Sequence, residues 1–230
     1  MRKQQQIWQT EHTSGHTLPT MANAEPASGV IMFVEWLRAN NVLPEGRAVD
    51  IGSGKGRNTV YLAKRGYAVD ALEYIAFARQ CTTELAVQNN IADRVNVHSA
   101  EIDANWPFPS EYFAIAVDSF SSIDIETKEG REKCRDEMHR TLKAGGYALV
   151  NVCSADDEWE AELIRNHPSP EHNSTVWPQN GKFKKDYSEE ELRKFYSVFE
   201  VCEVRTIQKQ AHKLGRDGIA TNLWMVLRKK

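Results

Sequence analysis

Three glycines at alternate positions follow an aspartate in the segment Val49-Asp50-Ile51-Gly52-Ser53-Gly54-Lys55-Gly56-Arg57-Asn58. Glycines in this arrangement let the backbone turn sharply and let a ligand lie against it without Cβ atoms in the way. The segment leaves a short apolar strand pattern and opens a helical one. The N–H groups and partial positive charge of that helix N-terminus suit a carboxylate or phosphate. Single residues exclude two familiar nucleotide motifs. A dinucleotide G-x-G-x-x-G needs glycine at position 57, where this chain has Arg57. A P-loop needs Ser or Thr after Gly54-Lys55, where this chain has Gly56. What remains is D-x-G-x-G-x-G. A second acid, Glu73, lies 21 positions after Gly52 at the end of the next strand. In nucleoside-binding α/β folds an acid about 20 residues past the first glycine accepts both ribose hydroxyls, because a carboxylate offers two acceptor oxygens. Asp70 lies inside that strand, whereas strand C-termini form the ligand crevice, so the reading favours Glu73.

Positioning these groups takes regular elements, and the sequence alternates them. Strands are expected at 48–51, 67–72, 95–97, 113–117 and 147–152. Helices are expected at 30–40, 58–65, 75–89, 126–142 and 156–166. This alternation implies βαβ units, a doubly wound α/β domain and a mostly parallel sheet. Two last strands, near 201–207 and 221–227, have no helix between them and are expected to pair antiparallel. Ser188 and Glu191 fit a capping box that opens a helix bearing Leu192, Phe195 and Tyr196. Residues 167–186 read as a long loop. Residues 1–28, with turn-like breaks at Gly15, Pro19 and Pro26, read as an arm or lid that docks on the domain with at most one short helix, and 29–230 as the domain.

Over Arg47 to Val152 the sequence resembles the class I S-adenosylmethionine-dependent methyltransferases. The resemblance rests on the glycine motif, on Glu73, on Trp106-Pro107-Phe108-Pro109, and on Leu142-Lys143-Ala144-Gly145-Gly146-Tyr147. It implies a Rossmann-like, seven-stranded sheet with an antiparallel C-terminal strand, and S-adenosyl-L-methionine as cofactor. The methionine part is then expected near Asp50, Gly52, Ser53, Gly54, Gly56 and Asn58, the ribose on Glu73, and the adenine near Glu101 and Ile102. Gly56-Arg57-Asn58, Tyr61-Leu62-Ala63 and Gly66-Tyr67 resemble the small-molecule branch that includes tellurite-resistance methyltransferases.

The cofactor's sulfonium is already electrophilic, so the protein has to orient the acceptor, exclude water and, for a protonated acceptor, supply a base. Orientation accounts for ~7–11 kcal/mol of such a barrier, and a general base adds about 10²–10⁴-fold. Asp118, ending the fourth strand, is the candidate for acceptor or cofactor contact and for the base; the alternative is a carboxylate capping the turn. Asp124 carries the same ambiguity, leaning towards the N-cap of the next helix. An N-P-P-Y-like stretch, expected of an enzyme acting on planar amino nitrogens, is absent here, which argues against N-methylation of bases or glutamine. His12 and His16 are spaced to share a helix face as a lid contact, an exposed pair or, less readily, metal ligands; no metal site is expected. Trp8 and Trp177 are read as packing residues rather than a closure. Asn151, Cys153 and Ser154 are candidates to border the acceptor. Lys182, Lys184 and Lys185, like Lys209, His212, Lys213 and Arg216, read as solvated loops more readily than as anion sites.

Composition narrows the partners. Charged residues are 27 % of 230, with net charge -3. The basic surplus of a nucleic-acid binder is missing, and no nucleic-acid or membrane partner is expected. The N-terminal residues lack a secretory h-region, and the four cysteines are scattered, so a cytoplasmic protein is expected. The expected acceptor is a small molecule. A binding-only module for the same cofactor, or methylation of protein or RNA, are the alternatives; no pattern encodes an oligomeric state.

Overall fold

The computed structural model describes residues 2–14 and 24–230. Gly15, His16 and Pro19 lie outside the described residues. Five parallel strands, β1 (Arg47–Ile51), β2 (Ala68–Glu73), β3 (Val95–Ser99), β4 (Phe113–Ser119) and β5 (Leu142–Cys153), form most of one sheet. A pair of long strands, β8 (Glu200–Lys213) and β9 (Arg216–Arg228), completes it, with β9 antiparallel to both β5 and β8. The order is β3-β2-β1-β4-β5-β9-β8, the expected seven-stranded Rossmann-like sheet. Two strands, β6 (Ser174–Val176) and β7 (Phe183–Lys185), form a separate hairpin.

The sheet is covered on both faces, which is why its central strands are apolar runs rather than alternations. On β4, Ile115 and Val117 pack with Val30, Phe33 and Leu37 of α2 (Ser28–Ala39) and with Leu62 of α3 (Arg57–Lys64). Phe113 and Ala116 face the opposite layer, with Cys134 and Met138 of α5 (Lys128–Thr141) and Leu192 of α7 (Glu189–Phe195). The capping box at Ser188 and Glu191 is formed. Asp70 is occupied inside the sheet by Arg47 at 2.5 Å and His98 at 2.7 Å. α4 (Ala76–Gln88) and α6 (Glu158–Asn166) complete the layers. Among the described residues, no helix is long and apolar enough to cross a membrane.

The structure departs from the sequence pattern in four places. The arm holds a full helix, α1 (Lys3–Thr13). The 167–186 loop contains the β6–β7 hairpin, which is too short to show a periodicity. Helix α5 starts at Lys128, capped by the Thr127 side chain, which accepts the Gly130 N–H at 3.0 Å; Asp124 is therefore not its N-cap. The β8–β9 hairpin runs beyond the sheet and grips α6, with Trp159 Nε1 donating to the Lys213 carbonyl at 2.9 Å and Asp157 accepting the Thr221 N–H at 2.6 Å.

Candidate functional site

The strand order reverses between β1 and β4, the point at which open α/β sheets form a ligand crevice. A cavity of about 930 Å³ opens there, at the C-terminal strand ends, and α1 crosses it with Gln4, Trp8 and His12 on its lining. That is within the usual size of a small-ligand site.

One half of the cavity is built by the glycine loop. Gly52 (φ +64°) and Gly56 (φ +86°) are left-handed, a conformation that costs other residues strain. A Cβ at Gly52 would also meet the Ser121 side chain at 2.6 Å, and one at Gly56 would meet Thr82 at 2.7 Å. Neighbours fasten the loop: Ser121 Oγ donates to the Gly52 carbonyl, and Thr82 Oγ1 to the Gly54 carbonyl, each at 3.0 Å. The Glu73 carboxylate is 4 % exposed and lines the cavity. One oxygen accepts the Gly54 N–H at 2.9 Å and the other the Ile75 N–H at 2.7 Å. Burial raises its pKa, opposed by those N–H groups. Each oxygen keeps a further lone pair.

Of the residues singled out in the sequence, Gly52, Ser53, Gly54, Asn58, Glu73, Glu101 and Ile102 line this one cavity. Three others lie behind the lining. Asp50 is 1 % exposed and accepts the Thr59 hydroxyl at 2.6 Å; burial pushes it up to about 6. Gly56 caps α3. Asp118 is 1 % exposed, and its Oδ1 accepts the Ser121 and Ser122 N–H groups, both at 3.1 Å. Its geometry is that of the turn-capping alternative, and burial raises its pKa. Glu101 has been drawn into a different contact from the one expected: its carboxylate accepts Arg2 at 2.7 Å and Gln5 at 2.6 Å. With Asp103, which accepts Arg2 at 2.6 Å, it pins α1 over the cavity. Asn58 Oδ1 accepts the Ala27 N–H at 2.9 Å, tying the loop to the start of α2.

The other half of the cavity was poorly marked in the sequence. Lys182, Lys184 and Lys185 are 3 %, 5 % and 4 % exposed, so they are not a solvated loop. Lys184 Nζ pairs with Glu160 at 2.6 Å and Asp186 at 3.5 Å. Lys182 Nζ sits 4.6 Å from the ring centroids of both Trp8 and Trp177, which gives those tryptophans a site contact rather than plain packing. Asn151 and Cys153 line this half, as do Asp124, Glu160, Lys182 and Lys184; Ser154 does not. Among the described residues, Asp124 Oδ1, Glu160 Oε2, Asn151 Oδ1 and Ser119 Oγ are buried without a hydrogen-bond partner. Such groups cost ~1–3 kcal/mol each when unmatched, so these four give the cavity a polar wall able to meet a polar ligand or water. Of the second basic group, Lys209, His212 and Lys213 line the cavity mouth on the β8–β9 hairpin; Arg216 pairs with Glu162 at 2.5 Å.

Comparison with known proteins agrees with this architecture. Residues 48–146 match the model of the methyltransferase domain family. The chain is 24 % identical over 151 residues to EEF1A lysine methyltransferase 2 of Danio rerio, covering 60 % of this chain and 64 % of that protein. It is 23 % identical over 184 residues to the Haemophilus influenzae protein named "Probable S-adenosyl-L-methionine-dependent methyltransferase TehB", covering 78 % and 55 %. The chain thus spans less than two thirds of the length of these relatives. The crystal structure of Burkholderia thailandensis 1,6-didemethyltoxoflavin-N1-methyltransferase, with bound 1,6-didemethyltoxoflavin and S-adenosylhomocysteine, superposes with a TM-score of 0.71 at 15 % identity. It covers 99 % of this chain and 88 % of that one. Over residues 48–146 the chain is thus similar to the methyltransferase domain family, and its fold is shared with methyltransferases of known structure. Among such proteins it is similar to TehB.

Proposed function

We propose that the protein transfers a methyl group from S-adenosyl-L-methionine to a small-molecule acceptor in the cytoplasm. The observation that carries this reading is one cavity, large enough for two ligands, with the glycine loop and Glu73 on one side and a polar wall on the other. The residues present fit an adenosyl cofactor. A carboxylate ends β2, the loop backbone is bare of Cβ atoms, and the buried Ser53 hydroxyl has no described partner. In this reading Glu73 takes the ribose hydroxyls, Gly52–Gly54 and Ser53 the methionyl end, and Ile102 the adenine face. Asn58 holds the loop against α2, and Asp50, Gly56 and Asp118 brace it from behind. Glu101 anchors α1, and α1 acts as a lid that excludes water from the reacting centre. When bound, the cofactor supplies an electrophilic methyl carbon; the chain's part is orientation, closure and proton removal.

A binding-only module predicts an acceptor half plugged by side chains, and the open half of the cavity speaks against it. The small-molecule reading is supported by α1 crossing the cavity and by the Burkholderia neighbour, whose bound acceptor is a small molecule. Methylation of a protein side chain keeps one supporting observation, the likeness to a lysine methyltransferase. The scattered cysteines, all free, suit a reducing compartment. The first experiment is calorimetric titration with S-adenosylmethionine, S-adenosylhomocysteine and NAD. Both adenosyl ligands should bind and NAD should not. If the adenosyl ligands fail at millimolar concentration, the reading is wrong. Methyl transfer is then measured on a panel of small O, S and N acceptors beside lysine peptides.

A further inference from the structure

Two charged groups that line the acceptor half form no ion pair among the described residues. The first is Asp124, which lies in the 3-10 turn Ser122–Asp124 just beyond β4. It caps no helix, because Thr127 does that for α5. It lines the cavity, and its Oδ1 has no hydrogen-bond partner among the described residues. The second is the ammonium of Lys182, held between the faces of Trp8 and Trp177. Among the described residues it forms no ion pair, whereas its neighbour Lys184 is engaged by Glu160. Two indole faces hold a desolvated cation without neutralising it.

We propose that Asp124 is the base of the reaction and that the acceptor is a small molecule with an acidic O–H, a phenol or enol, whose anion Lys182 stabilises. The proposal rests on the methyltransferase reading above and names the substrate class of that site. The Asp124 carboxylate takes the acceptor's proton. The electron pair left on the acceptor oxygen attacks the methyl carbon and forms the new O–C bond. The S–C bond breaks with its electrons staying on sulfur, giving S-adenosylhomocysteine, and Asp124 returns its proton to water.

The surrounding groups favour this assignment. Asp118 is committed to the Ser121 and Ser122 N–H groups. Glu160 is paired to Lys184, and the Cys153 thiol is pushed up to about 12 by burial, hence neutral. Asp124 itself is lifted to about 6, chiefly by burial, with Lys182 and then Lys184 pulling it down and Glu160 and Asp118 pushing it up. Tyr74 and Asp186 also feel its charge. A carboxylate at that value is ionised at neutral pH yet far more basic than an exposed one, as a general base needs to be. Of the histidines in the lining, His12 lies over Gly54, on the glycine-loop side, and His212 pairs with Asp217 on the β8–β9 hairpin.

The test uses the full chain loaded with S-adenosylmethionine, with phenols of graded acidity as probes and benzylamine as the cationic control. S-adenosylhomocysteine binding by calorimetry shows that each variant is folded; failure of the unmodified protein to bind it removes the underlying reading instead. Phenols should be methylated and benzylamine should not, with kcat/KM rising with pH through about 6. Asp124→Asn should slow a weakly acidic phenol about 10²–10⁴-fold and abolish that limb. The same variant should recover to within about tenfold on a nitrophenol already ionised at the assay pH, because no proton then has to be removed. Lys182→Met should lose both phenols, through a raised KM. Methylation of benzylamine alone, or inactivity with every phenol, overturns the proposal. So does a pH limb that survives in Asp124→Asn and disappears in His12→Gln.

Discussion

At the scale of single residues, the site depends on carboxylates whose partners are backbone N–H groups. Glu73 is the clearest case, since its oxygens already fix Gly54 and Ile75 and leave lone pairs towards the cavity. Glu73→Ala should weaken S-adenosylhomocysteine binding by about 10–100-fold, from the ~1.5–3 kcal/mol attached to hydrogen bonds with a charged group. Calorimetry reads it directly, and unchanged affinity would remove the ribose assignment. Asp50 predicts a pH dependence. Its folded pKa, about 6, stands above the ordinary 3.8 because burial disfavours the charged form. An acid raised in this way favours the fold fully below its unfolded value and loses that contribution as pH rises to the folded value. Relative to Asp50→Asn, the parent protein should therefore lose roughly 3 kcal/mol between about pH 4 and pH 6. Glu137 and Glu191, held down to about 2, work in the opposite sense, losing stability as pH falls below about 4.5. Urea titrations of both proteins across this range isolate the Asp50 contribution.

Among elements, α1 and α6 carry the parts of the site that pattern reading does not find. Helix α1 is weakly amphipathic and is held by polar contacts, Arg2 to Glu101 and Asp103 and Gln5 to Glu101. Arg2 is half exposed, and exposed ion pairs contribute only ~0–1 kcal/mol each. Arg2→Ala with Gln5→Ala should leave the melting temperature nearly unchanged while speeding S-adenosylhomocysteine release by roughly three- to tenfold. Stopped-flow displacement measures the rate, and an unchanged rate removes the lid assignment. Helix α6 is fastened to β7 by the Glu160–Lys184 pair, buried on both sides. Breaking such a pair from one side costs ~3–5 kcal/mol, because the remaining charge stays buried. Lys184→Met should be destabilised by that amount in urea unfolding, far more than the Arg2 variant.

For the molecule as a whole, the cavity lies at the reversal of strand order, so its lining joins the segments that follow β1 and β3, the ends of β2, β4 and β5, and α1. Binding at this junction stabilises the entire domain. At 100 times its dissociation constant S-adenosylhomocysteine adds about 2.7 kcal/mol. For a chain of this size that raises the melting temperature by roughly 5–10 °C. Differential scanning fluorimetry with S-adenosylhomocysteine and NAD in parallel reads the selectivity, and an equal shift with NAD would contradict the glycine-loop assignment.

Much of this was legible in the residues. Alternating apolar runs and helical stripes determined the parallel core, because a doubly covered sheet demands them and local periodicity records that demand. The spacing from Gly52 to Glu73 determined that the glycine loop and the carboxylate meet on one side of the cavity, since one strand–loop–helix–strand unit carries both ends and its length is nearly fixed. The acceptor half is different. Asp118 and Asp124 end the same strand region with the same chemistry, and only the neighbouring N–H groups decide which carboxylate is committed and which is left over. Lys182 and Lys184 read as solvated because lysine in a Gly- and Pro-rich stretch has no local reason to be buried. Their partners, Trp8 and Glu160, come from distant parts of the chain. Burial of charge is a tertiary event: it depends on which opposite charges and aromatic faces the fold brings within about 5 Å, and short-range pattern carries no trace of that.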